Sequence, residues 1–443
     1  MLLQIKAKLH AKFTQDRFLK NVTVLVGGNI AAQMIVICAS PLLTRLYTPD
    51  EFGYLGLFIS LLALLASISS LQYESTITLP KDDLDGANIV LLCFVTLLGV
   101  VLLTAGSLLI FTEQIAELFQ VEAIKNYLFL LPISLLALGG NNILNSWATR
   151  KKNYGLISTT KITQGINMTL VQVIGGMVIK GPLGLMIGDV IGRAGGNARF
   201  IRSTYREDWQ IFKQIKWKKI MKMAKRYKKF PIYSSPATLF RQVSLELPFL
   251  VLTGIYGPSI GGGFILVQRV LGLPLFLIGL SIGNVYLSDA SKLVHINPDQ
   301  IKKLFWSTFQ KLFIIIAPLL FIIIIFGPTM FTFIFGNDWT ISSSYLPILA
   351  IMYSFQFLSA PLGVTLYVLE RNDLQILREI IRVVLIGGAL ILAYIFSYTP
   401  FQAIIAISVA GSIGFILYGI FSIVAIHQYL QQQGIPVKGE TPI

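Results

Sequence analysis

Long apolar runs separated by short polar gaps dominate the chain, at residues 22–43, 53–73, 87–111, 126–146, 156–179, 182–203, 232–254, 260–283, 305–327, 345–368, 376–397 and 401–426. Each is close to the ~20 residues with which a helix crosses ~30 Å of hydrocarbon. The strands of a membrane barrel would instead show ~10-residue alternating segments. The pattern therefore predicts twelve membrane-spanning helices. The two halves also echo each other. Leu43 to Pro49 reads LTRLYTP at the end of the first run, and Leu252 to Pro258 reads LTGIYGP at the end of the seventh. Ile110-Phe111 recurs at Ile325-Phe326, and Leu131 to Ile133 recurs at Leu346 to Ile348. An even number of helices per half gives both halves one orientation, as in parallel-repeat transporters. The expected fold is an all-α integral membrane protein of two six-helix lobes related by a parallel pseudo-twofold repeat. The N-terminal lobe would occupy 1–203, a basic linker 204–231 and the C-terminal lobe 232–443.

Composition agrees with lipid as the main solvent. Of the 443 residues, 54% are hydrophobic and 13% charged, about half the ~25% charged content of soluble domains, and mean hydropathy is +0.72. The net charge of +15 would point to nucleic acid in a soluble protein, but its distribution has another cause. With both termini placed in the cytoplasm, 29 of the 36 Lys and Arg residues fall in inside segments. These include Arg193 through Lys229 and the trio Arg371, Arg378 and Arg382. Only Arg45, Lys125 and Lys180 fall outside. The positive-inside rule orients the chain accordingly, and no nucleic-acid partner is expected. The first 21 residues have no apolar core or small-residue cleavage site and read as an amphipathic cytoplasmic lead-in that stays on the protein. The run WKKIMKMAKRYKKF in the linker is expected along the anionic inner leaflet, with membrane lipids as its partners.

Function must then be sought in polar residues at membrane depth, where such groups are costly. Polar stripes at helical spacing include Asn29 and Gln33 in the first run, Asn141 and Asn145 in the fourth, and Lys161 and Gln164 in the fifth. They suit either a wet cavity or interhelical hydrogen bonding. In the sixth run Gly184, Gly188, Gly192 and Gly196 form a packing ridge, with Asp189 and Arg193 spaced to pair on one helix face. Arg241 and Arg269 each lie about nine residues into their runs, ~13 Å deep at ~1.5 Å per residue. They suit an anion, or pairing with Glu246 or Asp189. Glu74, Glu246 and Asp189 are the candidates for binding a coupling ion, H⁺ or Na⁺. Cys38 and Cys93 read as lipid-facing or packed thiols. His10, His295 and His427 are far apart and lack metal spacing, so no metal or other cofactor is implied.

Ala39 to Phe58, ASPLLTRLYTPDEFGYLGLF, and Leu71 to Ile89, LQYESTITLPKDDLDGANI, resemble the start of bacterial polysaccharide-biosynthesis membrane proteins. These are O-antigen flippases of Wzx type within the multidrug/oligosaccharidyl-lipid/polysaccharide exporter superfamily. The resemblance implies two lobes around a central cavity in the bacterial cytoplasmic membrane. It also implies translocation of an undecaprenyl-pyrophosphate-linked oligosaccharide to the periplasmic leaflet, with Lys161, Arg241 and Arg269 similar to a flippase's cationic cavity. Other polysaccharide-assembly membrane proteins would be further partners. An ion-coupled multidrug exporter of the same superfamily is the nearest alternative. A membrane glycosyltransferase or polymerase is a weaker one, since the longest outside loop, around Phe331 to Ser344, is short and Asp82 to Asp85 has no accompanying catalytic domain.

Overall fold

The computed structural model describes residues 2–119 and 121–433, with side chains from Val24 onward apart from Leu118 and His295. The side chains of the N-terminal lead-in, including His10, and the tail with Lys438 lie outside the described residues.

Every element among the described residues is helical. The order is α1 (Leu2–Leu46), α2 (Pro49–Ser67), α3 (Asp83–Leu118), α4 (Leu130–Arg150), α5 (Tyr154–Val178), α6 (Leu183–Phe212), α7 (Trp217–Arg226), α8 (Ser235–Tyr256), α9 (Pro258–Val267), α10 (Leu273–Ile296), α11 (Gln300–Phe335), α12 (Thr340–Leu362), α13 (Val364–Val368), α14 (Asn372–Ile395) and α15 (Pro400–Gln432). Eight segments are long and apolar enough to cross a membrane: 24–46, 49–67, 83–117, 230–256, 258–294, 300–335, 337–368 and 400–432. Four further long helices, α4, α5, α6 and α14, complete the twelve runs read from the pattern. These four carry Asn141 and Asn145, Lys161 and Gln164, Asp189 and Arg193, and Arg378, Glu379 and Arg382 respectively. The polarity that lowers their hydropathy is thus the polarity of interest. The chain is a multi-span membrane protein of two lobes.

Local chemistry sets several helix starts. Thr48 and Thr399 each precede a proline, Pro49 and Pro400, whose missing N–H is harmless in a first helical turn. Each threonine also closes a capping box, accepting from the backbone of Glu51 or Gln402 while that residue's side chain accepts from the threonine's own N–H. Lipid offers no hydrogen bonds, so satisfying these first amides locally favours the helix.

Contacts divide the chain into two compact units, Met1–Glu246 and Leu247–Ile443. In the first, α3 packs on α4, α4 on α6 and α5 on α6; in the second, α11 packs on α12, α12 on α15 and α14 on α15. The sequence echo has a structural counterpart as well. The Tyr47 hydroxyl donates to the Gln172 carbonyl at 2.7 Å, within the first unit. Its equivalent, Tyr256, donates to the Tyr398 carbonyl at 2.8 Å, within the second.

The glycine ridge of α6 lies against α5. A Cβ added to Gly184 would come within 2.8 Å of the Gly175 carbonyl carbon, and one on Gly192 within 3.0 Å of the Met168 Cα. Only hydrogen in place of a side chain permits this approach.

Helix boundaries bear on three readings from the sequence. Many cations counted with the inside segments lie on helices, among them Arg193, Arg199, Arg202 and Arg206 on α6, Lys292 on α10, Lys302 and Lys303 on α11, and Arg378 and Arg382 on α14. A charge near the end of an apolar run looks like a loop charge until the helix boundary is known. The segment around Phe331 to Ser344 is mostly helix: α11 runs to Phe335 and α12 begins at Thr340, with a single 3₁₀ turn, Asn337–Trp339, between. The polar stretch after residue 203 is also largely helical. α6 continues to Phe212, and α7 packs on α3 with Ile220 and Met223 buried. The Tyr73 hydroxyl ties α7 down by donating to the Ala224 carbonyl at 3.2 Å.

Candidate functional site

The polar residues of α4, α5 and α6 fall into two groups. The first is a structural lattice. Asn141 is 1% exposed, and its amide donates to Asn197 Oδ1 at 3.0 Å. The Asn197 amide donates onward to the Ala137 carbonyl at 2.7 Å. Gln164 donates to the Arg193 carbonyl at 3.4 Å. Buried Gln172, not singled out from the sequence, donates to the Leu185 carbonyl at 3.0 Å. These bonds tie α4 and α5 to α6, as buried amides must be satisfied in a medium without water.

The second group carries charge. Arg193 grips Asp189 through Nε at 2.6 Å and Nη2 at 2.8 Å. This bidentate pair, one turn apart on one helix, offsets much of the cost of burying either charge. Asp189 is therefore already engaged. Lys161 on α5 is half-buried. Asn29 and Gln33 are half-buried on α1. The α1 backbone runs against α5, since a Cβ on Gly165 would meet the Ala32 carbonyl at 3.0 Å. Among the described residues neither Asn29 nor Gln33 makes a side-chain hydrogen bond, and the Asn145 Oδ1 is buried without one. These three amides are the best placed of the stripe residues to serve a polar ligand.

Glu246 sits on α8 and accepts from the Ser60 hydroxyl of α2 at 2.6 Å and from the Gln242 amide at 2.9 Å. Both donors are neutral. No ion pair joins Glu246 to Arg241 among the described residues, and Arg241 is exposed. Five residues of separation explain this, since they turn the two side chains ~140° apart around the helix. Arg269, in the second unit, is half-buried within a π-helical turn, Gln268–Gly272, between α9 and α10. Such turns loosen the backbone ladder and often mark functional positions.

Glu74 lies in a 3₁₀ turn, Tyr73–Thr76, after α2, and accepts from the Ser70 hydroxyl. Burial pushes its carboxyl above the ordinary carboxylate range, against the pull of the Ser70 bond. A carboxyl raised in the folded state supports the fold below its ordinary pKa of ~4.3 and loses that support as pH rises through the raised value. Glu74→Gln should therefore withstand heat better than wild type at neutral pH, with the advantage shrinking as the pH is lowered toward about 4. Thermal inactivation across that range checks this, and an advantage independent of pH would refute it.

One cluster had no signal in the sequence beyond its charges. Arg150, at the end of α4, donates to Asp83 Oδ1 at 2.9 Å and to the carbonyls of Ile77 at 2.9 Å, Pro80 at 2.8 Å and Lys81 at 3.3 Å. Lys151 bridges Asp83 at 2.7 Å and Asp208 at 2.9 Å. Asp208 also accepts from the Trp147 indole at 2.9 Å. The ends of α3, α4 and α6 are thereby joined through charged groups.

The comparisons with known proteins agree with this architecture. Residues 42–344, more than half of the chain, match the sequence profile of the family described as "Polysaccharide biosynthesis protein". No curated protein matches the chain in sequence. Among solved structures, an inward-facing multidrug resistance MATE family transporter of the MOP superfamily aligns with a TM-score of 0.66 and 14% identity, over 90% of this chain and 96% of that one. The lipid II flippase MurJ, in an inward closed conformation, aligns at 0.68 and 16%, over 93% and 90%. A MOP superfamily transporter from Pyrococcus furiosus, whose structure is described as having a binding pocket of reversed polarity, aligns at 0.54 and 14%, over 92% and 95%. At such identities the likeness is one of fold. The chain belongs to the polysaccharide biosynthesis protein family and has the fold of MOP-superfamily transporters.

Proposed function

We propose that the protein is a flippase of Wzx type that moves an undecaprenyl-pyrophosphate-linked oligosaccharide from the cytoplasmic to the periplasmic leaflet of the bacterial inner membrane by alternating access. The observation that carries this reading is the presence of three cations on the helices. Lys161, Arg241 and Arg269 are cations set in membrane helices of a polysaccharide-biosynthesis family member. A pyrophosphate offsets the cost of such cations, and arginine's planar fork fits its oxygens in a bidentate way. Asn29, Gln33 and Asn145 supply polar groups for sugar hydroxyls, while Asn141 and Gln164 hold the helices that present them. Glu246, bonded only to neutral donors, is the first candidate for a coupling H⁺ or Na⁺, with Glu74 next and Asp189, held by Arg193, last.

Deleting the gene should abolish a surface polysaccharide, which the cloned chain should restore without changing drug susceptibility. Restoration of drug resistance alone would favour the alternative that the MATE-type fold supports, an exporter of small molecules. Both termini are assigned to the cytoplasm. Reporter fusions after Lys152, Lys229 and Arg371 should give cytoplasmic signal, and those near Pro49, Glu117 and Asn337 periplasmic signal. One inverted fusion breaks this topology.

A further inference from the structure

In the second unit, α10 and α12 part around a crevice of about 140 Å³. Gly279 and Gly283, one turn apart on α10, leave the room, and Phe357 and Pro361 of α12 form the facing wall. A Cβ added to Gly279 would stand 3.6 Å from Pro361 Cγ, and one on Gly283 would stand 3.4 Å from Pro361 Cα, both at ordinary contact distance. The crevice lies at membrane depth, since its walls come from the crossing segments 258–294 and 337–368. Among the residues that line it none is charged.

Three polar side chains interrupt these apolar walls: Asn284 of α10, and Tyr353 and Gln356 of α12. None of them makes a side-chain hydrogen bond among the described residues. Tyr353 is only 5% exposed. Its ring is held in place, because a Cβ on Gly272 would come within 3.1 Å of its Cε1 and Cζ. Other buried hydroxyls of this unit are bonded: Tyr286 shares a hydrogen bond with Thr365 at 2.7 Å, and Ser354 donates to the Ala350 carbonyl at 2.7 Å. A buried hydroxyl without a protein partner gives up the bonds it would make in water, so Tyr353 presents an unused donor and acceptor to the crevice. Pro361 adds an acceptor, since it has no N–H to offer the Phe357 carbonyl four residues back.

We infer that this crevice is a binding site for a neutral, ring-sized amphiphile. Its apolar ring lies against Phe357 and Pro361, and its hydroxyl or amide bonds to the Tyr353 hydroxyl, with Gln356 and Asn284 as further partners. Size sets the ring, since an apolar cavity of ~150 Å³ stays dry and takes up benzene. The uncharged walls exclude an anion or a cation, whose burial there would go uncompensated. The open polar groups select against a plain hydrocarbon chain, which would leave them unsatisfied. No residue of this site belongs to the cargo or coupling assignments above, so the two stand or fall separately.

The test uses the full chain in phosphatidylcholine nanodiscs and a photoreactive probe of this class, trifluoromethyl-diazirinyl benzyl alcohol, with labelled peptides located by mass spectrometry. The corresponding toluene, which lacks the hydroxyl, is the apolar control. Lipid-facing residues of α11, such as Ile314 at 70% exposed, report plain partition into the bilayer. Relative to α11, the alcohol should label the segments 273–284 and 353–364 about fivefold more than the toluene does, the worth of one hydrogen bond. Excess benzyl alcohol should suppress that label. Tyr353→Phe should remove the preference for the alcohol, and should insert and resist heat like wild type because the lost hydroxyl has no protein partner. Gly279→Leu, which fills the crevice, should suppress label from both reagents there and leave α11 unchanged. Equal labelling by alcohol and toluene, or a preference unchanged in Tyr353→Phe, would overturn the inference in favour of a hydrocarbon chain as occupant. Label in the crevice no denser than on α11 would overturn it outright.

Discussion

Arg241→Ala and Arg269→Ala are each expected to cut export of surface polysaccharide by roughly 10- to 100-fold, the equivalent of ~1.5–3 kcal/mol for hydrogen bonds to a charged ligand. The structure sharpens this expectation for Arg241. Had it been paired with Glu246, removing both would restore function by eliminating a stranded charge. Glu246 is instead held by Ser60 and Gln242, and Asp189 by Arg193. The double substitution Arg241→Ala with Glu246→Gln should therefore be no better than Arg241→Ala alone. Arg241→Lys and Arg269→Lys keep the charge but lose the fork, so each should fall between wild type and Ala. Polysaccharide is measured in a strain lacking the gene and normalised to the amount of inserted protein. Wild-type levels from both Ala variants would remove these arginines from the transport path, and rescue by the double substitution would return Arg241 to a structural role.

Replacing Arg150 should have the largest effect on folding. Its side chain is 7% exposed, whereas that of its ionic partner Asp83 is 45% exposed. The ion pair itself is therefore worth less than ~1 kcal/mol. The three carbonyls of Ile77, Pro80 and Lys81 matter more, because Arg150→Ala leaves them without their shared donor at the turn between α2 and α3. A loss of about 3 kcal/mol is expected, allowing ~1 kcal/mol for each carbonyl. Arg150→Lys should recover little, since one ammonium cannot span three carbonyls and a carboxylate. Asp83→Asn should cost far less than Arg150→Ala. Thermal inactivation in detergent ranks the three, and an Arg150→Ala protein as stable as wild type would refute the account.

The sequence alone determined where the chain enters lipid, because crossing hydrocarbon demands long apolar runs, and that demand is local. It also showed the echo of the two halves. Even the ridge from Gly184 to Gly196 and the Asp189–Arg193 pair were visible, since both follow from spacing along one helix. Partners across helices were not. Asn141 meets Asn197 from 56 residues away, Arg150 meets Asp83 from 67, and Ser60 meets Glu246 from 186. Single residues give no hint of such distant matches. The charges of α14 show why the limit is physical. Arg378, Glu379 and Arg382 lie at the edge of an apolar run, where a loop and a helix predict the same composition. Only the packing of Arg382 on Gly414 and of Arg378 on Tyr418 shows that they face α15, because a partner is set by the neighbouring helix and not by the residues themselves.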